Sequence, residues 1–92
     1  DAMAVEVRVP TILRDYTAGE RVVAASGSSV AAVVKDLDVS YPGIADRLID
    51  DSGLRRFVNV YLNDEDIRFL EGLDTPVADN DSLTILPAVA GG

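Results

Sequence analysis

The chain has 92 residues, 48% of them hydrophobic and 26% charged, a composition that predicts one globular domain rather than a disordered segment. It contains no cysteine and no histidine, which excludes disulfides, thiolate nucleophiles, histidine bases and metal sites built on either side chain. A net charge of −8 argues against nucleic acid as a partner, because binding to phosphates requires a basic surface. No apolar stretch approaches the roughly 18 residues of a membrane span and no secretory leader is visible, so we expect a cytoplasmic protein without membrane contact.

The first segment has the pattern of a β-hairpin. Val5, Val7 and Val9 alternate with charged residues, which is the period of a half-buried strand. Pro10 lacks a backbone N–H group and is expected to end this strand. The valine-rich residues 20–25 predict a second strand, antiparallel to the first, after an irregular loop.

The next segment changes to a helical period. Serine hydroxyls in residues 26–29 are suited to cap a helix, and apolar residues then recur at helical spacing. The predicted apolar stripe consists of Val30, Val33, Val34 and Leu37. Pro42 is expected to stop the helix, because proline cannot continue it and disfavours helical geometry in the residue before it. A second, short helical turn is expected over residues 44–49.

The residue pattern in the second half of the sequence predicts the remaining strands. The clearest strand covers residues 57–62, in which two sets of side chains alternate. One set is Val58, Val60 and Leu62, and the other is Phe57, Asn59 and Tyr61. Residues 63–66 form an acidic turn, and a short strand is expected over residues 67–69. After a polar loop, residues 82–86 predict the last strand, which Pro87 ends.

This order of elements predicts an α+β fold, a mixed sheet of four to five strands with one main helix packed across it. If the first and last strands lie side by side in the middle, they must be parallel, and their apolar faces meet the helix stripe. We assign residues 3–87 to this domain and residues 88–92 to a flexible tail. Asp1 and Ala2 precede Met3 and are interpreted as a cloning remnant.

The tail presents a single functional group. Gly92 has no side chain, so it offers only its α-carboxylate, and a glycine-rich backbone can enter a narrow site on another protein. The residues expected to be presented with it are Pro87, Ala88, Val89, Ala90 and Gly91. Such a tail is suited to acyl activation, in which the carboxylate attacks the α-phosphate of ATP. We expect no catalytic residue in this chain, because it has no histidine or cysteine and a partner enzyme must supply the catalytic groups. We also expect no cofactor and no metal site in it.

The last strand and the tail resemble the end of a known family. An acidic turn over residues 78–82, a strand over residues 83–86, Pro87 and a Gly-Gly end are similar to the ubiquitin-like sulfur carriers of the MoaD/ThiS superfamily. The resemblance implies the β-grasp fold. It also implies that Gly92 accepts sulfur, because in these carriers a sulfur nucleophile displaces AMP from the acyl-adenylate and leaves a C-terminal thiocarboxylate.

Within that superfamily the chain is most similar to the CysO-type carriers. The stretches that carry this similarity are residues 10–14, 56–61, 63–66 and 85–92. The branch implies sulfur donation in cysteine biosynthesis or in another pathway to a sulfur-containing metabolite. Its implied partners are an adenylyltransferase-sulfurtransferase of the MoeB/ThiF type that uses ATP, a sulfur-accepting synthase such as a pyridoxal-phosphate-dependent cysteine synthase, and a metallopeptidase.

A partner-docking face is predicted beside the tail, on the sheet face opposite the helix. Its expected residues are Phe57, Tyr61, Thr84 and Leu86. The alternative is that loops cover the two aromatic side chains. Arg55 and Arg56 are interpreted as solvated, and residues 64–66 as a plain acidic turn, because they lack the ligand spacing of a calcium loop.

Three functional hypotheses remain open at this point. The first is a sulfur carrier that is not itself an enzyme. The second is a ubiquitin-like protein modifier, in which Gly92 forms an isopeptide bond to a lysine of another protein. The third is an interaction domain whose tail is only a frayed end, so that deletion of Gly91 and Gly92 leaves its function unchanged.

Overall fold

The computed structural model describes residues 4–87, in which a mixed sheet carries one long helix on one face. The strands in chain order are β1 (Ala4–Arg8), β2 (Val22–Ser26), β3 (Ile49–Asp50), β4 (Gly53–Leu54), β5 (Val58–Leu62), β6 (Glu65–Asp66) and β7 (Ser82–Pro87). The helices of this part of the chain are α1 (Val30–Ser40) and α2 (Ile44–Leu48). Short 3₁₀ turns lie at Thr11–Leu13, Ile67–Phe69 and Gly72–Asp74.

The five-stranded sheet has the strand order β2-β1-β7-β5-β6. Its adjacent strands β1 and β7 run parallel, and its other neighbouring pairs are antiparallel. Strands β3 and β4 form a separate two-stranded ribbon. This is the β-grasp arrangement, so the predicted α+β class and the adjacent, parallel first and last strands are confirmed.

The opening hairpin forms because valines alternate along both of its strands. Val5 and Val7 are only 2% and 1% exposed, whereas the residues between them point to solvent. Val7 lies opposite Val23 in the antiparallel register. Just beyond the paired residues, Val9 N donates a hydrogen bond of 2.8 Å to Arg21 O. The predicted hairpin is confirmed, although its second strand begins later than the pattern of residues suggests.

Helix α1 begins at a serine cap and buries one face. Ser29 Oγ accepts a hydrogen bond of 3.2 Å from Ala32 N, which satisfies one of the free N–H groups of the first turn. The buried residues of the helix are Val30, Val33, Val34 and Leu37. They form one core with the inward residues of β1, β2, β5 and β7, so the predicted apolar stripe is confirmed.

Two boundaries in the second half differ from the prediction. The prediction of a short strand over residues 67–69 is wrong, because these residues form a 3₁₀ turn. The short strand β6 precedes them. Asp66 Oδ1 accepts a hydrogen bond of 2.9 Å from Arg68 N, and this side-chain cap turns the chain away from an extended conformation. The strand predicted from Phe57 begins one residue later, at Val58.

Candidate functional site

Strand β7 leads the chain to the end of the sheet at which the tail begins. Its Leu83 and Ile85 side chains are 2% and 4% exposed and anchor the strand in the core between β1 and β5. Its last residue, Pro87, is exposed and lies opposite Val58, the first residue of β5. The predicted tail residues that lie outside the described part of the chain are Ala88, Val89, Ala90, Gly91 and the sulfur acceptor Gly92.

The start of β7 is held by backbone and side-chain hydrogen bonds from the turns beside it. Asn63 N donates to Ser82 O at 2.6 Å, and Ser82 N donates to Asn63 Oδ1 at 3.1 Å. Asp81 Oδ2 accepts a hydrogen bond of 2.8 Å from Ala78 N. The acidic turn before the last strand therefore has a structural role, because its carboxylate binds a backbone N–H group and fixes where β7 begins.

Three of the predicted docking residues share the sheet face that α1 leaves open. Tyr61 and Thr84 are direct partners in the register of β5 and β7, and both are half-buried. Thr84 also lies opposite Arg8 in the parallel pairing with β1. Leu86 lies on the same face, since alternate residues of a strand share a side, and it is 45% exposed. These three residues form a continuous surface that leads toward the tail.

Phe57, the fourth predicted docking residue, lies at the end of the sheet rather than on a strand. It is 51% exposed, and the Arg56 guanidinium carbon lies 5.6 Å from the centre of its ring. With Ile12, Leu86 and Pro87 it lines a cavity of about 140 Å³. An apolar groove therefore borders the point at which the tail begins, and Leu86 connects this groove to the open sheet face.

A second groove is lined by arginines that the sequence analysis did not single out. Its volume is about 460 Å³, and its walls include Arg8, Arg14, Arg21, Thr84 and Leu86. The arginines are separated in sequence and come together because β1 and β2 pair as a hairpin. The predicted pairing of the two strands would already have brought Arg8 and Arg21 to the same end of the hairpin, since Arg8 lies opposite Val22, and sequence reasoning could have found them from that.

The arginines near the start of β5 have mainly structural contacts. Arg55 is exposed, as predicted, but its Nε also donates a hydrogen bond of 2.6 Å to Asp46 O. Arg68 Nη2 donates to Arg55 O at 2.9 Å and to Val58 O at 2.8 Å. Its Nη1 donates to Asn59 Oδ1 at 2.7 Å. Arg68 thus fixes the segment that precedes β5, and with it the position of Phe57.

Residues 4–87 contain neither a metal-binding cluster nor a membrane-spanning helix. Over this range no three His, Cys, Asp or Glu side chains are grouped so that they could hold a metal ion. The carboxylate of Asp66, in the acidic turn, instead caps a 3₁₀ turn. No helix in the same range is long and apolar enough to cross a membrane.

Comparison with known proteins shows that the chain is similar to sulfur carrier proteins. The ThiS family model matches residues 7–92. The chain is 57% identical over 93 residues to the sulfur carrier protein CysO of Mycobacterium tuberculosis, an alignment that covers 98% of this chain and 100% of that protein. The crystal structure of M. tuberculosis CysO matches with a TM-score of 0.89 and 56% identity, covering 92% of this chain and 99% of that one.

Two further relatives extend this comparison. A chain in the crystal structure of the Amycolatopsis orientalis BexX/CysO complex matches with a TM-score of 0.91 and 52% identity, covering 96% of this chain and 99% of that one. The small archaeal modifier protein 3 of Haloferax volcanii is 37% identical over 65 residues, which is 71% of each chain. These matches confirm the resemblance inferred from the acidic turn, the last strand and the Gly-Gly end. The chain, a β-grasp protein similar to the CysO sulfur carriers, belongs to the ThiS family.

Proposed function

We propose that this protein is a sulfur carrier in which the α-carboxylate of Gly92 is converted to a thiocarboxylate. The observation that carries the proposal is the 57% identity to M. tuberculosis CysO, a sulfur carrier protein, over the whole of that protein. The fold supports it, because the last strand ends at an exposed residue, Pro87, which directly follows Leu86, a wall residue of both grooves. The division into a domain of residues 3–87 and a presented tail of residues 88–92 is part of the same proposal.

The proposed chemistry has two steps. A carboxylate oxygen of Gly92 attacks the α-phosphorus of ATP, and pyrophosphate leaves, which gives an acyl-adenylate. Hydrosulfide then attacks the acyl carbon, and AMP leaves with the oxygen that had attacked phosphorus, so that the terminal group becomes a thiocarboxylate. The chain has no histidine or cysteine for either step, so the partner supplies the catalytic groups and this protein is a substrate rather than an enzyme.

The proposed loading partner is an adenylyltransferase-sulfurtransferase of the MoeB/ThiF type, and its proposed docking face contains Phe57, Tyr61, Thr84 and Leu86. Residues 88–92 span at most about 18 Å even when fully extended. An enzyme that binds the Gly92 carboxylate must therefore also contact the domain near Pro87. Two further proposed partners would use the same tail. One is a sulfur-accepting synthase, which in the cysteine pathway depends on pyridoxal phosphate, and the other is a metallopeptidase. The BexX/CysO complex supports the view that a carrier of this type works with a partner protein.

Changes at the tail test this proposal. A variant that ends at Gly91, and a second with alanine added after Gly92, should take up no sulfur from the activating enzyme with ATP and sulfide. In both variants the carboxylate is displaced from the position at which the enzyme acts. Both should keep the wild-type midpoint of urea unfolding, since neither variant changes a core residue of the described domain. Sulfur uptake by the variant that ends at Gly91 would overturn the proposal.

A ubiquitin-like modifier is the second candidate, and the 37% identity to the small archaeal modifier protein 3 favours it. Both candidates form the same acyl-adenylate and differ in the final acceptor, which is sulfide for the carrier and a lysine amine for the modifier. Peptides from cells that carry the last residues of this protein on a lysine would support the modifier. Recovery of the thiocarboxylate without such peptides would support the carrier.

A further inference from the structure

One groove beside β7 is lined by several basic residues, although the protein as a whole is acidic. The chain has 16 acidic and 8 basic residues. Three of the basic residues, Arg8, Arg14 and Arg21, line the groove of about 460 Å³ on the open sheet face. Among the described residues, no Asp or Glu contributes to its wall. The groove is therefore locally basic on a molecule whose net charge is −8.

The backbone of Val9 brings these arginines together. Val9 N donates a hydrogen bond of 2.8 Å to Arg21 O, which holds the two segments side by side. Arg14 Nε donates a hydrogen bond of 3.2 Å to Val9 O. Arg8 is the last residue of β1 and directly precedes Val9. One residue of the hairpin thus fixes the relative positions of three guanidinium-bearing residues.

The charges in the groove are only weakly neutralised by the described part of the chain. Arg8 Nε lies 3.1 Å from Glu6 Oε2, but both side chains are about half exposed, and solvent screens such a pair. Within residues 4–87 the Arg21 side chain makes no hydrogen bond and no ion pair. Over the same range the terminal nitrogens of Arg14 make no hydrogen bond. The groove therefore offers guanidinium donors to a ligand.

The groove lies where a tail-binding protein must sit. Thr84, Ile85 and Leu86 of β7 form part of its wall, and Pro87 follows directly. Because residues 88–92 reach at most about 18 Å, a protein that holds Gly92 is close to this wall. The groove is thus continuous with the docking face already proposed.

We propose that this groove binds carboxylate side chains on the protein that receives the tail, an inference that rests on the proposed function. A guanidinium group pairs with a carboxylate through two parallel hydrogen bonds, which a lysine cannot match. Acidic residues outnumber basic ones over the rest of the protein, so an acidic segment of the partner is attracted more strongly to the groove than to the remaining surface taken as a whole. The groove therefore orients the carrier with its tail toward the partner.

Charge reversal at one position inside and one outside the groove tests the inference. Arg21→Glu in the groove and Lys35→Glu on the exposed side of α1 make the same change in net charge. With the activating enzyme of the same organism, ATP and sulfide, Arg21→Glu should raise the KM for the carrier about tenfold. Lys35→Glu should change it less than about twofold. The difference should shrink as NaCl is raised from about 0.05 to 0.5 M, because salt screens the contact.

The possible results separate this inference from the function on which it rests. Equal KM values for the two variants would overturn the inference and leave sulfur loading unaffected. A higher KM for ATP with an unchanged KM for the carrier would assign the groove to nucleotide phosphates and would also overturn it. If the wild-type protein takes up no sulfur from an enzyme that loads another carrier, the proposed function fails and the inference fails with it.

Discussion

Pro87 lies opposite Val58 in the antiparallel register of β5 and β7. The end of the last strand is therefore held beside the start of its neighbour, and Phe57, which precedes that strand, lines the same cavity as Pro87. Leu86 lines this cavity and the arginine groove. The point at which the tail begins therefore lies beside an apolar cavity and a groove with three arginines, on a protein with a net charge of −8.

Replacing Leu86 with aspartate is expected to slow sulfur loading. Leu86 is 45% exposed, and a docked enzyme would bury the new carboxylate without a partner. The kcat/KM for the carrier should fall at least about tenfold. The control is Val39→Asp, which places the same charge on α1 at a residue that is 81% exposed. Equal kcat/KM values for the two variants would contradict the proposed docking face.

Leu37→Ala is expected to destabilise the domain strongly. Leu37 is 1% exposed in the core beneath the sheet, and its truncation leaves a cavity that the neighbouring side chains fill only in part. The free energy of unfolding, measured by urea denaturation, should fall by about 2–5 kcal/mol. Val39→Ala on the same helix should change it by less than about 0.5 kcal/mol. A loss below about 1 kcal/mol for Leu37→Ala would mean that the helix packs less closely than described.

Ser29→Ala tests the cap of α1. The substitution removes the oxygen that accepts a hydrogen bond from Ala32 N and leaves that N–H group without its partner. The free energy of unfolding should fall by about 1 kcal/mol. The matched control is Ser28→Ala, because the neighbouring Ser28 is exposed and the helix cap does not use its hydroxyl. Equal effects at the two serines would be inconsistent with the cap.

Two substitutions of Asn63 separate the effects of its side-chain hydrogen bonding and of its backbone conformation on the free energy of unfolding. Its backbone has a φ of 56°, and its side-chain oxygen accepts a hydrogen bond from Ser82 N. Asn63→Gly removes the side-chain hydrogen bonds to Ser82 N and to Asp81 Oδ1 and should cost about 0.5–1.5 kcal/mol of unfolding free energy. Asn63→Ala removes the same bonds but, unlike glycine, keeps a Cβ in the left-handed region without the polar side chain by which asparagine tolerates it, and should cost about 1–2 kcal/mol more than the glycine variant. An alanine variant as stable as the glycine variant would argue against this backbone conformation.

The main elements of the fold were predictable because their burial follows a simple period. Val5 and Val7 alternate with exposed residues on β1, and Val33 and Leu37 recur at helical spacing on α1. In both elements the apolar period matches the face that the structure buries. The predicted parallel pairing of the first and last strands followed from the order of these elements.

Residues 67–69 were not predicted correctly because a local hydrogen bond decides their conformation. An apolar pair with a charged residue between them has the period of a strand. The Asp66 carboxylate nevertheless binds Arg68 N and stabilises a 3₁₀ turn. A segment this short has too few ladder hydrogen bonds to compete with such a cap.

The candidate site was predictable only in part. The tail stays a prediction, made from its glycine end and from its resemblance to a family, whereas the open sheet face followed from the alternation of Tyr61 and Thr84 with core residues. The two grooves were not predicted, because each is built from segments far apart in sequence. Arg8, Arg14 and Thr84, for example, meet only through the exact register of β1 with its neighbours and one side-chain bond to Val9.

The central claim is tested most directly by the intact mass of the wild-type protein after incubation with ATP, sulfide and the activating enzyme. Replacement of one carboxylate oxygen by sulfur predicts a gain of about 16 Da, located at Gly92 by fragmentation. An unchanged mass, obtained with an enzyme that loads another carrier under the same conditions, would contradict the sulfur-carrier function.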